Sequence, residues 1–332
     1  MCTGIQMTAL DGAVIGARTL EFERSLASEI IVVPAGTEYQ TAPPRGMTWT
    51  AIYGAVGANI AGRLQFVEGI NEKGLSAGAF FFPGYASFTP IDKVSGDKSL
   101  SPMDVVSWIL TTCATLDDVS KSLPSMTIAA PTLDASSNQP LHYLVRDPQG
   151  GSLAIEYTNE GTLTIYPNLV GVFTNSPPFD WHVTNLNNYI NLGPDNVEKS
   201  STLRIELTQI GQGTGLLGLP GDFTPPSRFV RAAFYVATAQ SGKTADDTVK
   251  QMFHILNLFD IPLGTVRDGS KEDHTEWTSA SDMKNLVFYI KTLDNQQVRY
   301  VEVRPALKAA WNGPITVPLT QKEHYDNITP AS

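Results

Sequence analysis

The chain has 332 residues, 42% hydrophobic and 17% charged, with a formal net charge of −10. That composition describes a folded globule able to bury a substantial core, and an acidic balance relieved by no Lys/Arg run argues against a nucleic-acid partner. The longest apolar stretches, around Ile30–Pro34 and Ala77–Pro83, are too short to span a bilayer.

The first residues show neither the basic n-region nor the apolar h-region of a signal peptide, so a cytoplasmic location is expected. A periplasmic or secreted location is expected instead if a leader has been removed. Two cysteines, Cys2 and Cys113, provide no disulfide framework. If Met1 is removed, Cys2 carries a thiol and a free α-amine on one residue. With reference pKa values of about 8.5 and about 7.7–8.0, the amine can accept the proton of its own side chain's thiol.

Residues Cys2–Leu10 and Ala13–Phe22 are β-prone runs joined by Asp11-Gly12, a strong hairpin signal. A two-residue turn would place Cys2 opposite Glu21 and Arg18 opposite Ile5, on the other face of the sheet. For Arg18 and Glu21 both to serve Cys2, the second strand must bulge or end between them.

Further strands are expected at Glu29–Pro34, Thr48–Val56 and Leu64–Ile70. The turn Asn71-Glu72-Lys73-Gly74 leads into Leu75–Phe82, an apolar run suited to a strand covered on both faces and stopped by Pro83-Gly84. Ser101, with Pro102 and Asp104 behind it, caps a helix whose stripe Val105, Ile109 and Cys113 faces a core, so Cys113 reads as a packing residue. A short helix follows over Leu116–Leu123.

Strands at His142–Arg146, Leu153–Tyr157, Thr162–Tyr166 and Leu169–Thr174 form a meander. Ser176 is placed to cap a helix carrying Phe179, Val183, Leu186 and Ile190. Gly211–Gly221 is a shaped Gly/Pro loop, and helices are expected near Ser227–Ala239 and Asp246–Phe259. Strands at Glu276–Ser279, Leu286–Thr292 and Val298–Val303 complete the pattern, with a loose polar tail after Pro314. No repeat or linker interrupts the chain, so a single domain over 1–332 is expected. Meanders alternating with helix pairs indicate an α+β fold of stacked sheets covered by helices.

Several motifs compete for the chemistry. Gly74-Leu75-Ser76-Ala77-Gly78 matches the nucleophile elbow G-x-S-x-G, which would make Ser76 a serine nucleophile. The elbow needs a helix after the serine, and here a strand continues to Phe82. Gly213-Thr214-Gly215-Leu216-Leu217-Gly218 matches G-x-G-x-x-G, but Pro220 follows and no βαβ unit surrounds it. The five histidines show no metal-ligand spacing, and neither metal nor cofactor is expected.

Met1-Cys2-Thr3-Gly4, Gly16-Ala17-Arg18-Thr19-Leu20, Asn71-Glu72-Lys73-Gly74-Leu75, Phe82-Pro83-Gly84, Thr174-Asn175-Ser176-Pro177 and Trp181-His182-Val183-Thr184-Asn185-Leu186 occur in one order along the chain, followed by the Gly/Pro block at Gly211–Arg228. Together they resemble the choloylglycine hydrolase family, N-terminal-nucleophile amidases that include bile salt hydrolases and penicillin V acylases. The resemblance implies a four-layer αββα sandwich, commonly a homotetramer, that cleaves a linear amide C–N bond.

Carried over by position, it makes Cys2 the nucleophile and its α-amine the base, with Arg18 beside the thiol. It also makes Asn175 a side-chain donor to the tetrahedral oxyanion, the Phe81 backbone N–H a second donor, and Arg228 the completion of the polar network. Two positions depart from the family's pattern. Glu21 stands where the family's Asp holds the α-amine, and Phe81 stands where bile salt hydrolases show Asn and penicillin V acylases often show Tyr. The implied substrates are small-molecule amides: bile acid conjugates, penicillin V or N-acyl homoserine lactones. Two rival readings are a serine hydrolase using Ser76 and a family member that binds acyl ligands without turnover.

Overall fold

A computed structural model describes residues 1–41, 46–94, 99–130, 139–201 and 204–329. The strands of its two large sheets are, in chain order, Cys2–Thr8 (β1), Val14–Phe22 (β2), Glu29–Val33 (β3), Ala55–Asn59 (β4), Phe66–Asn71 (β5), Ser76–Phe81 (β6), Leu141–Arg146 (β7), Ser152–Thr158 (β8), Thr162–Pro167 (β9), Val172–Phe173 (β10), Val266–Asp268 (β11), Lys271–Asp282 (β12), Val287–Thr292 (β13), Asn295–Glu302 (β14) and Ile315–Pro318 (β15). The helices are Val105–Thr112 (α1), Leu116–Ser122 (α2), Phe179–Asn185 (α3), Pro225–Thr238 (α4), Ala245–Leu256 (α5) and Val303–Ala309 (α6).

One sheet has the order β10-β1-β2-β12-β13-β14, with β11 paired to β12, and the other β9-β8-β7-β6-β5-β4-β3-β15. All of these pairings are antiparallel. Side-chain alternation sorts the core into layers. In β3, Ile30 and Val32 pack toward the first sheet with Val56, Ile70 and Phe80, whereas Ile31 and Val33 pack outward with Val106, Ile109 and Leu110 of α1. On the far side of the first sheet lie Phe229 of α4 and Met252 of α5. The result is the expected αββα sandwich. Cys113 is buried in the outer core beside α1, as its helical spacing indicates.

The hairpin register differs from the expected one. Cys2 pairs with Leu20 and Gly4 with Arg18, because the turn has three residues, not two. Ala9 N–H donates to Ala13 C=O, Asp11 Oδ1 accepts from Ala13 N–H, and Gly12 takes φ +81°, the left-handed position that closes such a loop. Shifting the pairing by one residue puts Cys2 and Arg18 on the same face and Glu21 on the other, so β2 needs neither a bulge nor an early end. The irregularity lies in the partner strand, between Thr275 and Trp277 of β12.

Other expectations change where tertiary pairing overrides local pattern. The run Leu169–Thr174 does not extend the meander; its Val172–Phe173 core crosses to the first sheet and pairs with β1. That crossing carries Asn175 to Cys2. Ser176 does not cap α3: Pro178 holds the N-cap place, and Ser176 Oγ donates to Pro83 C=O at 2.6 Å. The segment after Pro314 supplies β15, an edge strand paired with β3, and Val303 begins a helix where a strand end was expected. No helix among the described residues is long and apolar enough to cross a membrane.

Candidate active site

Cys2 begins β1 on the face that looks across the sandwich, and its side chain is almost wholly buried. Arg18 Nη2 lies 2.7 Å from Cys2 Sγ. The guanidinium is held by Ala79 C=O at 2.7 Å and Thr19 C=O at 3.2 Å, and its carbon sits 3.9 Å from the Phe80 ring centre.

The opposite side of Cys2 is built by Asn175 and Arg228. Cys2 N–H donates to Asn175 Oδ1 at 2.8 Å, and Arg228 Nη2 donates to the same oxygen at 2.7 Å. Arg228 Nη1 reaches Cys2 C=O and, at 2.7 Å, Thr3 Oγ1, while its Nε donates to Phe223 C=O. With Oδ1 committed, the Asn175 Nδ2 group points the other way and donates one proton to Phe81 C=O at 2.7 Å. Its second proton is free of that bond.

Phe81 is the last residue of β6, which pairs with β5 only as far as Gly78. Phe82 N–H faces β7 and donates to Pro140 C=O, so alternation turns the Phe81 N–H and C=O the opposite way. Past Gly78 the strand therefore offers its edge to the first sheet, where Ala79 C=O takes Arg18 and Phe81 C=O takes Asn175. The Phe81 side chain is half-buried.

Glu21 lies on the α4 face, fully buried. Thr275 Oγ1 donates to its Oε1 at 3.3 Å, and Oε2 has no hydrogen-bond partner among the described residues. Burial pushes its carboxyl up, opposed by the terminal amine of Met1 and by Arg228. The Met1 amine donates to the Glu21 backbone C=O at 2.6 Å, and Glu21 N–H donates to Met1 C=O at 2.9 Å. Removing Met1 would open the space between Cys2 N and Glu21.

Ser76, the competing nucleophile, is fully buried at the start of β6, between partners Ile70 and Arg146, with strand and no helix following it. Its flanking glycines have other uses. Gly74 takes φ +84° in the β5–β6 turn, and a Cβ on Gly78 would lie 1.8 Å from Glu68 Oε2.

Sequence reasoning missed Glu68, Arg146, His142, Glu156 and His182. Glu68 bridges Arg18 at 3.5 Å and Arg146 at 3.7 Å in the buried space behind the thiol. His142 and His182 contact the backbone around Asn175. The available signal was a charge or imidazole set inside an otherwise apolar strand, as in Phe66–Asn71 and Leu141–Arg146; such a group is buried and must find a partner.

Comparison with known proteins agrees with this geometry. The family model described as linear amide C–N hydrolases, choloylglycine hydrolase family, matches residues 2–307. A bile salt hydrolase/transferase of Clostridium perfringens is 33% identical over 307 residues, covering 91% of this chain and 92% of that protein. A penicillin V acylase of Pectobacterium atrosepticum is 28% identical over 280 residues, covering 78% of this chain and 68% of that protein. The crystal structure of a mutant conjugated bile acid hydrolase from Clostridium perfringens superposes with a TM-score of 0.88 at 30% identity, covering 99% of this chain and 100% of that one. The sandwich, the buried thiol at the chain's start and the match over 2–307 converge: the chain belongs to the choloylglycine hydrolase family of linear amide C–N hydrolases.

Proposed function

We propose that the protein is an amidase working through a thioester on Cys2, in a single domain spanning the chain. The observation that carries this reading is the pair of contacts on Cys2: Arg18 Nη2 2.7 Å from the sulfur and the Asn175 carboxamide 2.8 Å from the nitrogen. Loss of Met1 turns that nitrogen into an α-amine, with Asn175 Oδ1 as one acceptor and Glu21 Oε2, which has no hydrogen-bond partner among the described residues, available as another. The extra methylene of Glu21 relative to Asp leaves charge and acceptor capacity unchanged.

The amine takes the thiol proton and Sγ attacks the amide carbonyl carbon. The oxyanion that forms accepts the second Nδ2 proton of Asn175 and the Phe81 N–H, donors fixed before the reaction begins. Collapse breaks the C–N bond as the ammonium returns its proton to the leaving amine, and water then hydrolyses the thioester.

Conjugated bile acids and penicillin V are the first substrates to test, because relatives carry those activities in their names. N-acyl homoserine lactones are the third. An aromatic at Phe81 leans toward aryl or long acyl groups. Assembly as a homotetramer belongs to the same reading and is supported by exposed Ile190, Val197, Ile205 and Ile210, which an interface would cover. Light scattering measures it. A cytoplasmic location remains the expectation.

The test follows glycocholate, penicillin V and an N-acyl homoserine lactone for free-amine release, with intact mass reporting loss of Met1. Cys2→Ala is expected to abolish every conversion, and conversion that survives it overturns the mechanism. Asn175→Ala is expected to lower kcat about 100-fold or more with little change in KM, the mark of a donor used in the transition state.

A further inference from the structure

We propose that His182 and His142 are positioning residues, whose hydrogen bonds to two successive main-chain carbonyls hold the Thr174–Asn175 segment so that the Asn175 carboxamide faces Cys2. This rests on the reading of Asn175 as an oxyanion donor.

Asn175 opens the bend at 175–177 between β10 and α3, where no ladder fixes its backbone. Its side chain must nevertheless keep Oδ1 on Cys2 N and Nδ2 toward the Phe81 edge. Two imidazoles supply what a ladder would. His182 Nε2 is 2.9 Å from Asn175 C=O, and His142 Nε2 is 3.1 Å from Thr174 C=O. A carbonyl only accepts, so each of these bonds requires a proton on Nε2.

Each ring is locked in turn. His182 stacks on Phe229, the residue after Arg228, with centroids 4.7 Å apart and planes at 12°. Its Nδ1 is buried without a partner among the described residues. A phenyl ring would fill the same space without burying that nitrogen, so what the imidazole adds is the N–H on Asn175. Burial lowers the His182 pKa to about 4, keeping the ring neutral through the physiological range.

His142 stacks on Phe82 at 4.2 Å and 3° and touches Phe173 at 4.2 Å. Its Nδ1 meets Glu156 Oε1 at 3.2 Å, and that oxygen also accepts Phe179 N–H at the start of α3. His142 thus joins the strand end that carries Phe81 to the segment that carries Asn175, setting the spacing between the two oxyanion donors.

The test uses the mature protein and 4-nitrophenyl acetate, whose transfer to a thiolate passes through the same kind of tetrahedral oxyanion. Cys113 gives no competing release, since burial pushes its thiol up to about 11. His182→Phe keeps the ring and removes the donor; His182→Gln places an amide N–H near the Nε2 position, and His182→Asn does not. The Phe and Asn variants are expected to lower kcat about tenfold with KM within twofold, and Gln to stay within about threefold of the parent. In an Asn175→Ala background, His182→Phe is expected to add less than about a twofold loss.

Independent, multiplying losses in the double variant overturn the proposal, as do equal rates for Gln and Phe. If Asn175→Ala alone leaves kcat unchanged, the oxyanion reading fails, a result distinct from either. Should His182→Phe not fold, His142→Gln against His142→Met makes the same comparison at Thr174 C=O, and equal rates there overturn the proposal.

Discussion

The charge cluster behind the thiol makes a quantitative prediction. Glu68 Oε2 and Oε1 lie 3.5 Å and 3.7 Å from guanidinium nitrogens of Arg18 and Arg146, and all three side chains are at most 2% exposed. Burial pushes the Glu68 carboxyl up while both arginines pull it down, and burial brings Arg146 down only to about 10, so it stays charged at neutral pH. Glu68→Gln removes the one carboxylate between two buried cations. Removing one partner of a buried pair costs about 3–5 kcal/mol. Both contacts exceed the about 2.7–2.9 Å of a strong charge-assisted bond, which puts the expectation near about 3 kcal/mol.

Urea unfolding followed by tryptophan fluorescence measures it; with a slope of about 3 kcal/mol per M, the midpoint should fall by about 1 M. Adding Arg146→Met restores the native excess of one cation and should recover at least half of that loss. A Glu68→Gln midpoint within about 0.3 M of the parent, or a double variant less stable than the single one, would refute the idea that Glu68 neutralises this space.

Three further outcomes follow from the same geometry. Arg228→Lys replaces a fork that reaches Cys2 C=O, Thr3 Oγ1, Asn175 Oδ1 and Phe223 C=O with one ammonium, and kcat should fall about 100-fold through misplacement of Cys2 and Asn175. A loss mainly in KM would contradict it. His182 has a folded pKa of about 4 against about 6.5 unfolded, so the unfolded chain gains its proton first; this residue's contribution is complete above about pH 6.5 and declines as pH falls toward 4, by about 3 kcal/mol. The stability of the parent relative to His182→Gln should therefore drop over that window, and parallel pH profiles would count against a neutral buried ring. Gly12→Ala, at φ +81° with nothing within 4 Å of the added carbon, should cost only the backbone term of about 1 kcal/mol, read from the urea midpoint.

Much of the fold was legible because it is written in short-range pattern. β-prone runs between turn residues marked the strands found at Glu29–Val33, Phe66–Asn71 and Ser152–Thr158, and helical spacing marked α1 and α5. The Ser101 hydroxyl does accept from Met103 N–H, as the capping signal indicated. The hairpin at Asp11-Gly12 was legible as a turn but not in register: a turn of two residues and one of three share the same Asp-Gly signal, and the Asp11 bond to Ala13 selects the longer loop. The Val172–Phe173 crossing and the β15 edge strand were not legible, since each depends on which distant strand edge lies open to receive it.

By itself the sequence singled out the candidate nucleophile. A thiol next to the chain's start, and the ordered blocks around Arg18, Asn175 and Arg228, are properties of the residues in line. Only the tertiary structure decided which groups surround that thiol, because sheet parity and interlayer packing are long-range. A one-residue change of register decides whether Arg18 or Glu21 shares the face of Cys2, and burial compels Glu68, Arg146, His142 and His182 to find partners that lie far away along the chain.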